Sequence, residues 1–272
     1  MRALGWRRAP HDPRDRNAAL KLGPVLALPK EVSLEQHVVE ILDQGQLGSC
    51  TANATAQAVR IAHHLQGVPN PPLMSRLFNY FCARGWEGTS SEDAGAYIKD
   101  NFRTLMHIGF CPESIWPYSD SGDRFKTMPT PQAFHDAYDQ RSLDAYHRII
   151  ATGADRIQQL QQALLAGHAV VFGTAVSEAF CGNQLASGAE LPPIDKQIAG
   201  DHALCCMGYW TNPNDGAIWF RIANSWSTGW GDRGYVWFHQ EYMTWGPTDD
   251  CWFGDVVPPP SMLGSIPAEV RS

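Results

Sequence analysis

The sequence contains no hydrophobic run long enough to cross a membrane and no basic block. Its longest apolar stretches, such as Ala169 to Gly173, are far shorter than the roughly 20 residues that a spanning helix needs. The formal charge is -7, charged residues amount to only 18%, and Lys and Arg do not cluster. These features argue against a nucleic-acid partner and against binding to an anionic membrane surface.

No secretory signal, internal repeat or low-complexity tract is recognisable. The first ten residues are partly basic, but no apolar segment follows them, as a signal peptide would require. We therefore expect a chain that is cytoplasmic as synthesised unless another route exports it. The sequence leaves the final location open.

Patterns typical of metal or nucleotide sites are also missing. Cys205 and Cys206 are adjacent on a predicted strand, where successive side chains face opposite sides and do not readily chelate one ion. The pair His63-His64 has no acidic or cysteine partner at metal spacing, and we interpret both as helix-surface residues. Residues 229–234 match G-x-G-x-x-G, but a strand rather than a helix follows them. We expect no metal and no cofactor.

The sequence does contain enough apolar material for a large buried core, since 44% of its residues are hydrophobic and 11% are aromatic. Apolar residues recur at helical spacing after residue 50, whereas short β-type runs dominate the later part of the chain. The predicted helices cover residues 50–66, 74–84, 93–107 and 155–166, and the predicted strands cover residues 169–176, 203–210, 217–224 and 234–239. Helices followed by strands predict an α+β fold rather than an alternating βαβ sheet.

The segment from Asp43 to Ala52 has the features of a nucleophile loop. It places two glycines, a serine and Cys50 at the entry of the first predicted helix. The positive end of the helix dipole and the unpaired N–H groups there favour the thiolate, which is the reactive form of cysteine. Gln44 carries a side-chain amide that could donate to an oxyanion. Taken alone, this pattern is also compatible with an inert core thiol.

Two later residues supply the other roles that a cysteine nucleophile needs. His202 lies just before one predicted strand and Asn224 at the end of another. A nucleophilic cysteine needs a base, and the base needs a group that fixes its tautomer and orientation. His202 and Asn224 supply these two roles, in this order, after Cys50.

With these residues the chain resembles the papain-like cysteine peptidases, the cathepsin-type family, as a bacterial-type branch with a short N-terminal extension. Residues 224–235 match the family block Asn-Ser-Trp-Gly-x-x-Trp-Gly-x-x-Gly-Tyr at every position but one. His202 and Asn224 follow Cys50 by well over a hundred residues, as in that family. The resemblance covers about residues 28–255.

The resemblance implies a role for each residue of the site. Cys50 would be the nucleophile, and His202 would be the base that later protonates the leaving amine. Asn224 would orient the imidazole, and Trp226 would shield that hydrogen bond from water. Gln44 and the backbone N–H of Cys50 would form the oxyanion hole.

The family also has residues that border its substrate cleft. On the same alignment these correspond here to Asp201, Gly200 and Gly173, and we add Trp226 to the substrate-binding set. Asp201 could equally be a solvated loop carboxylate. The sequence does not define the preferred substrate side chain.

The chain departs from the family pattern at three positions. Leu47 stands where most members have a disulfide-forming cysteine, Thr51 replaces an aromatic residue, and Ser227 replaces a glycine. The first departure removes a covalent staple from the nucleophile loop. We expect most of the seven cysteines to be free thiols.

The implied fold is a papain-like α+β fold with two lobes and the active site in the cleft between them. The helical lobe would cover about residues 44–125, and an antiparallel β-rich lobe would cover about 126–255 together with 28–43. Residues 1–27 would be an arm and 256–272 a tail. The arm is too short for a folded pro-domain, but it could lie across the cleft in a zymogen-like form, with Trp6 or the Arg7-Arg8 pair as its anchors; a loosely attached surface segment is the alternative.

The implied reaction is hydrolysis of peptide bonds through a thioester acyl-enzyme, with a peptide or protein as substrate and a monomeric enzyme. Two alternatives stay open at this point. A transferase or deamidase could use the same three residues, and a catalytically silent binding protein could keep the fold. The presence of Gln44, Cys50, His202 and Asn224 together argues against the silent form.

Overall fold

The computed structural model describes residues 3–24, 27–185 and 188–266. Residues 1, 2, 25 and 26 of the predicted arm and residues 267–272 of the predicted tail lie outside this part. The helices are α1 (Ala18–Leu22), α2 (Cys50–Leu65), α3 (Arg76–Glu87), α4 (Ile98–His107), α5 (Pro131–Asp139), α6 (Gly153–Leu165), α7 (Glu178–Cys181), α8 (Gln240–Thr244) and α9 (Pro260–Leu263). The strands are β1 (Glu31–Ser33), β2 (Leu143–Ile149), β3 (Val170–Ser177), β4 (Ala189–Glu190), β5 (Ile198–Thr211), β6 (Ile218–Ala223), β7 (Tyr235–His239) and β8 (Asp249–Val256).

The helices α2, α3, α4 and α6 form where the sequence predicts them. The Ser75 side chain caps α3 by accepting a hydrogen bond from the backbone N–H of Phe78. Helix α4 begins at Ile98 rather than at Asp93, because the preceding segment runs alongside the N-terminal arm, where Ala96 forms a β-bridge with Trp6. Contact with another segment thus overrides the local helical pattern there.

The strands form one open sheet in the order β2-β8-β3-β5-β6-β7-β4, with β1 paired to β5. All neighbours are antiparallel except β4 and β7. The long strand β5 lies between β3 and β6, and its segment near His202 pairs with β3. The sheet therefore holds the predicted base in the middle of a rigid element.

The sequence did not predict β2 and β8, which pair with each other along most of their length. Both strands carry charged residues within buried stretches, which hides the apolar pattern of a strand. The structure compensates these charges, since Arg148 Nη2 donates to Asp250 Oδ1 at 2.8 Å. Both residues are buried.

Two apolar clusters flank the cleft. The larger one lies between α2 and the sheet and includes Ile61, Phe172 and Leu204. The smaller one gathers residues of the helical side and also takes Ala133 and Ala137 from α5. Helix α5 thus packs against the residues of this smaller cluster.

The assignment of His63 to the helix surface is wrong. His63 is fully buried, its Nε2 lies 3.3 Å from the carbonyl of Val257, and burial lowers its pKa to about 4. His64 instead lies with its Nδ1 3.0 Å from Nδ1 of His37. The nearly continuous burial of α2 between the sheet and the other helices explains the error, because few of its positions face solvent.

Six cysteines are present as thiols: Cys50, Cys82, Cys111, Cys205, Cys206 and Cys251. Over residues 3–24, 27–185 and 188–266, no helix is both long and apolar enough to span a membrane.

Candidate active site

The predicted nucleophile, Cys50, is the first residue of α2 and is fully buried. The loop before it turns at Gly45, whose φ of 59° suits a glycine, and the Asp43 side chain accepts a hydrogen bond from the Gly45 N–H. This turn delivers the chain to the helix with the thiol at the first position. The sequence-predicted placement of Cys50 at the helix entry is confirmed.

His202 and Asn224 meet across neighbouring strands. His202 lies on β5, Asn224 directly follows β6, and His202 Nε2 is 2.8 Å from Asn224 Oδ1. The backbone N–H of Ser225 donates to the same oxygen at 2.7 Å, which fixes the amide so that its oxygen faces the imidazole. His202 therefore carries its proton on Nε2, and Nδ1 is left as an acceptor.

The imidazole of His202 is covered by Trp226. The two rings are stacked with centroids 4.5 Å apart, and both side chains are fully buried. Trp226 thus packs on the imidazole. His202 Nδ1 has no hydrogen-bond partner within the described residues.

The side chain of Gln44 is held by three hydrogen bonds. Its Oε1 accepts from Ser225 Oγ at 2.6 Å, and its Nε2 donates to the carbonyls of Leu47 at 2.9 Å and Ala3 at 3.0 Å. The amide N–H thus points at a backbone carbonyl that comes from the N-terminal arm. An oxygen of a reacting carbonyl would need the same donor.

The arm passes directly over the nucleophile. The backbone amides of Gly5 and Ala203 both interact with the Cys50 thiol. The Gly5 carbonyl accepts from the Ala96 N–H at 2.9 Å, and the Arg7 N–H donates to the Ala96 carbonyl at 3.2 Å. The arm and the segment at Ala96 therefore run parallel, as two strands of a small ladder.

The side chains of the arm fill two places in the cleft wall. Trp6 is buried against Gly173, where a Cβ at Gly173 would overlap the indole ring. Leu4 lies against Gly200 in the same way, and the Trp6 N–H is 3.4 Å from the Asp201 carbonyl. Gly173, Gly200 and Asp201, three of the residues assigned to the substrate cleft, thus all contact the arm.

A buried carboxylate anchors this segment. Asp250 Oδ2 accepts hydrogen bonds from Trp6 Nε1 at 3.3 Å and from the Ala9 N–H at 2.6 Å, while Arg148 holds the other oxygen. Arg7 pairs with the buried Glu87 at 2.9 Å. The first residues of the arm are therefore bound by directed polar contacts as well as by apolar burial.

With the arm in place, the site is electrically neutral. Burial raises the pKa of the Cys50 thiol to about 11, and the surrounding amides only partly oppose this. Burial lowers the pKa of His202 to about 4, against the opposing hydrogen bond to Asn224. Between about pH 5 and 9, Cys50 is consequently a thiol and His202 a neutral imidazole.

Sequence reasoning missed several residues around this site. Ser225 lies inside the recognised motif, so its contact with Gln44 had a signal in the sequence. No sequence signal pointed to Asp93, Tyr80 or Asp250, because each reaches the site from a distant part of the chain. In the part of the chain that the structure describes, no group of three or more His, Cys, Asp and Glu side chains is placed to hold a metal ion.

Comparisons with known proteins agree with this geometry. The family model "Papain family cysteine protease" matches residues 28–251. A peptidase C1-like protein of Acanthamoeba polyphaga mimivirus is 36% identical over 225 residues, which cover 80% of this chain and 70% of the viral protein. Digestive cysteine proteinase 2 of Homarus americanus is 30% identical over 73% of this chain, which spans 57% of the length of that enzyme.

A solved structure extends the likeness to nearly the whole chain. Xylellain, a cysteine protease from Xylella fastidiosa, has a TM-score of 0.80 and 32% identity, with 94% of this chain and 97% of that chain covered. The predicted α+β papain-like fold is confirmed, and hydrolysis is favoured over the transferase and binding-protein alternatives. With the family model spanning most of the sequence, this chain belongs to the papain family of cysteine proteases.

Proposed function

We propose that Cys50, His202, Asn224 and Gln44 are the working residues of this peptidase and that residues 3–8 keep it closed. The observation that carries this proposal is the Ala3 carbonyl, which accepts the hydrogen bond from Gln44 that a developing oxyanion would use. The arm and a substrate cannot hold that donor at the same time. Peptide hydrolysis then requires the arm to leave.

Once the arm has left, the proton of Cys50 moves to Nδ1 of His202, and the thiolate attacks the carbonyl carbon of the peptide bond. Gln44 Nε2 and the Cys50 N–H stabilise the oxyanion. The imidazolium gives its proton to the leaving amine as the C–N bond breaks, which leaves a thioester. His202 then takes a proton from water, whose oxygen attacks the thioester, and the thiol is regenerated as the acid product departs.

Product analysis tests the reaction type. The chain is incubated with a defined peptide in the presence of a primary amine, and the masses of the products are measured by mass spectrometry. The Cys50→Ala variant serves as the blank. Hydrolysis yields two fragments that together contain one added water. Amine-capped fragments or deamidated side chains as the main products would instead identify a transferase or a deamidase.

Removal of the oxyanion donor should slow the chemical step. In a full-length chain whose arm is displaced by Gly5→Leu, the additional change Gln44→Ala is expected to lower kcat by about 100-fold with little change in KM. The exposed residue Gln132 on α5 provides the matched control, Gln132→Ala. A Gln44→Ala chain that folds and keeps its kcat within a factor of three would exclude this role.

The place taken by Trp6 also suggests a substrate preference. A substrate side chain that entered between Gly173 and Gly200 would meet Asp250, whose Oδ2 loses its two donors when the arm leaves. A buried carboxylate oxygen that has lost its donors favours a partner that donates a hydrogen bond, at roughly 1.5–3 kcal/mol. We expect Trp to be preferred over Phe by about tenfold at one position of a fluorogenic peptide library; equal rates at every position would exclude this pocket.

A further inference from the structure

A chain of hydrogen bonds links two segments in the helical wall of the cleft, beside the nucleophile. The Gly48 N–H lies 3.1 Å from both carboxylate oxygens of Asp93. The Tyr80 hydroxyl donates to Asp93 Oδ1 at 2.5 Å and accepts from the Gly95 N–H at 3.0 Å. Asp93 and Tyr80 thus connect Gly48, on the nucleophile loop, with Gly95, on the segment that precedes α4.

Both ends of this chain touch the backbone that lies in the cleft. A Cβ at Gly5 would come within 1.8 Å of the Gly48 carbonyl oxygen, so the arm is in close contact with that wall. A Cβ at Gly95 would come within 2.1 Å of the Gly5 carbonyl oxygen. Next to Gly95, Ala96 forms two backbone hydrogen bonds with the arm. The distance between the Gly48 and Gly95 segments therefore decides what backbone can lie between them, next to Cys50.

The two members of the link are well suited to hold a fixed distance. Tyr80 is fully buried on α3, and burial together with the neighbouring carboxylate raises its pKa, so the hydroxyl stays protonated as a donor. Asp93 lies at the surface, but its carboxylate is aimed inward at two donors. Hydrogen bonds to an ionised acceptor are stronger than neutral ones.

The nucleophile loop has a particular need for such a link. Leu47 occupies the position at which most papain-like enzymes have a disulfide-forming cysteine, so this loop lacks that covalent staple. The backbone N–H of Cys50, one of the two oxyanion donors, lies only two residues beyond Gly48. Movement of the loop at Gly48 would therefore displace the Cys50 N–H from the position at which it can donate to the oxyanion.

We propose that Asp93 is a positioning residue for the peptidase reaction: with Tyr80 it fixes the nucleophile loop against the Gly95 segment of the same wall. It acts through Gly48 on the oxyanion hole and does not touch the substrate. Displacement of reacting groups by about 1 Å can cost on the order of 100-fold in rate. The effect of losing Asp93 should therefore appear mainly in kcat.

The test compares three variants of the full-length Gly5→Leu chain by steady-state peptide hydrolysis and by thermal melting. Asp93→Ala is expected to lower kcat roughly 10- to 100-fold. Asp93→Asn, whose carbonyl oxygen can still accept from Gly48, should recover kcat to within about threefold. Tyr80→Phe removes the hydroxyl that links Asp93 to the Gly95 segment but leaves the Gly48 N–H bound to Asp93. It should therefore mainly raise KM. Asp123→Asn, at an exposed ion pair, is the matched control.

The outcomes separate positioning from simple stabilisation. If Asp93→Ala lowers the melting temperature but leaves kcat within threefold of the parent, the proposal is overturned. If Asp93→Ala does not fold, Tyr80→Phe decides, and an unchanged KM in that variant overturns the proposal. Rates are expressed relative to the Gly5→Leu parent, corrected for the Cys50→Ala blank, and divided by the fraction of molecules whose Cys50 iodoacetamide labels at pH 7, so that rebinding of the arm is not read as a loss of kcat.

Discussion

Full-length protein carrying Gly5→Leu is expected to hydrolyse a fluorogenic peptide on the order of 1,000 times faster than the parent chain. A Cβ at residue 5 would lie 1.8 Å from the carbonyl oxygen and 2.4 Å from the carbonyl carbon of Gly48. Both are backbone atoms of the nucleophile loop, which Asp93 holds by hydrogen bonds at Gly48, so moving this loop aside would cost considerable free energy. The arm must therefore leave the cleft, although the rest of the chain is unchanged.

The magnitude follows from what holds the arm. Burial of the Trp6 side chain contributes up to about 3 kcal/mol, and its hydrogen bond to the Asp250 carboxylate about 1.5–3 kcal/mol. Ordering the segment offsets part of this. A net of about 4 kcal/mol would leave the cleft open in roughly one molecule in a thousand.

The matched control for this variant is Gly85→Leu. Gly85 lies on α3, and nothing stands within 4 Å of a Cβ there, so the same change in side chain meets open space. Its peptidase rate should equal that of the parent. If Gly5→Leu folds normally and is no more active than Gly85→Leu, residues 3–8 do not keep the enzyme closed.

The second large effect concerns the reactivity of Cys50 towards iodoacetamide at neutral pH. With the arm bound, the pKa of this thiol is about 11, so only about one molecule in 10,000 carries the thiolate at pH 7. In papain, a thiol paired with histidine has a pKa of about 3–4. We expect alkylation of Cys50 at pH 7 to be roughly 1,000-fold faster in Gly5→Leu than in the parent, which is labelled mainly through the one molecule in about a thousand whose arm is open.

The pH dependence of Cys50 alkylation should differ between the parent and Gly5→Leu. A raised thiol pKa keeps the parent unreactive until the pH is well above 9, whereas a thiolate–imidazolium pair in Gly5→Leu should stay reactive far below pH 7. Mass spectrometry locates the label on Cys50 and excludes other thiols. The double variant Gly5→Leu/His202→Ala should return to the profile of an ordinary thiol near pH 8.5.

Two results would contradict this account. Equal alkylation rates in the parent and in Gly5→Leu would mean that the arm does not bury the thiol in solution. Fast labelling of Gly5→Leu that survives His202→Ala would mean that another group activates Cys50.

Much of the candidate site could be predicted from the sequence because its signals are local. The glycine turn and helix entry before Cys50 are encoded within ten residues, and the Asn224 motif is contiguous. Even a departure within that motif has a local reason: Ser227 has a φ of 61°, a conformation that glycine adopts more easily. These features do not depend on distant contacts.

Other parts of the molecule gave no such signal. The strands β2 and β8 were missed because Arg148 and Asp250 look like surface residues until the fold pairs them inside. Helix α4 starts late because Ala96 is engaged by the arm. The interaction of Asp93 with Gly48 joins segments 45 residues apart, and spacing alone does not reveal it.

The sequence by itself determined which groups can react: a cysteine at a helix entry, a histidine, an asparagine at a strand end, and a glutamine before the nucleophile. The predicted position of His202 just before a strand is wrong, because β5 begins at Ile198 and carries His202 within it. Only the tertiary structure decided their state. Burial raises the pKa of the Cys50 thiol to about 11 and so keeps it neutral, and the Ala3 carbonyl takes the Gln44 donor. Protonation and access depend on what surrounds a group in space, and local sequence does not specify this.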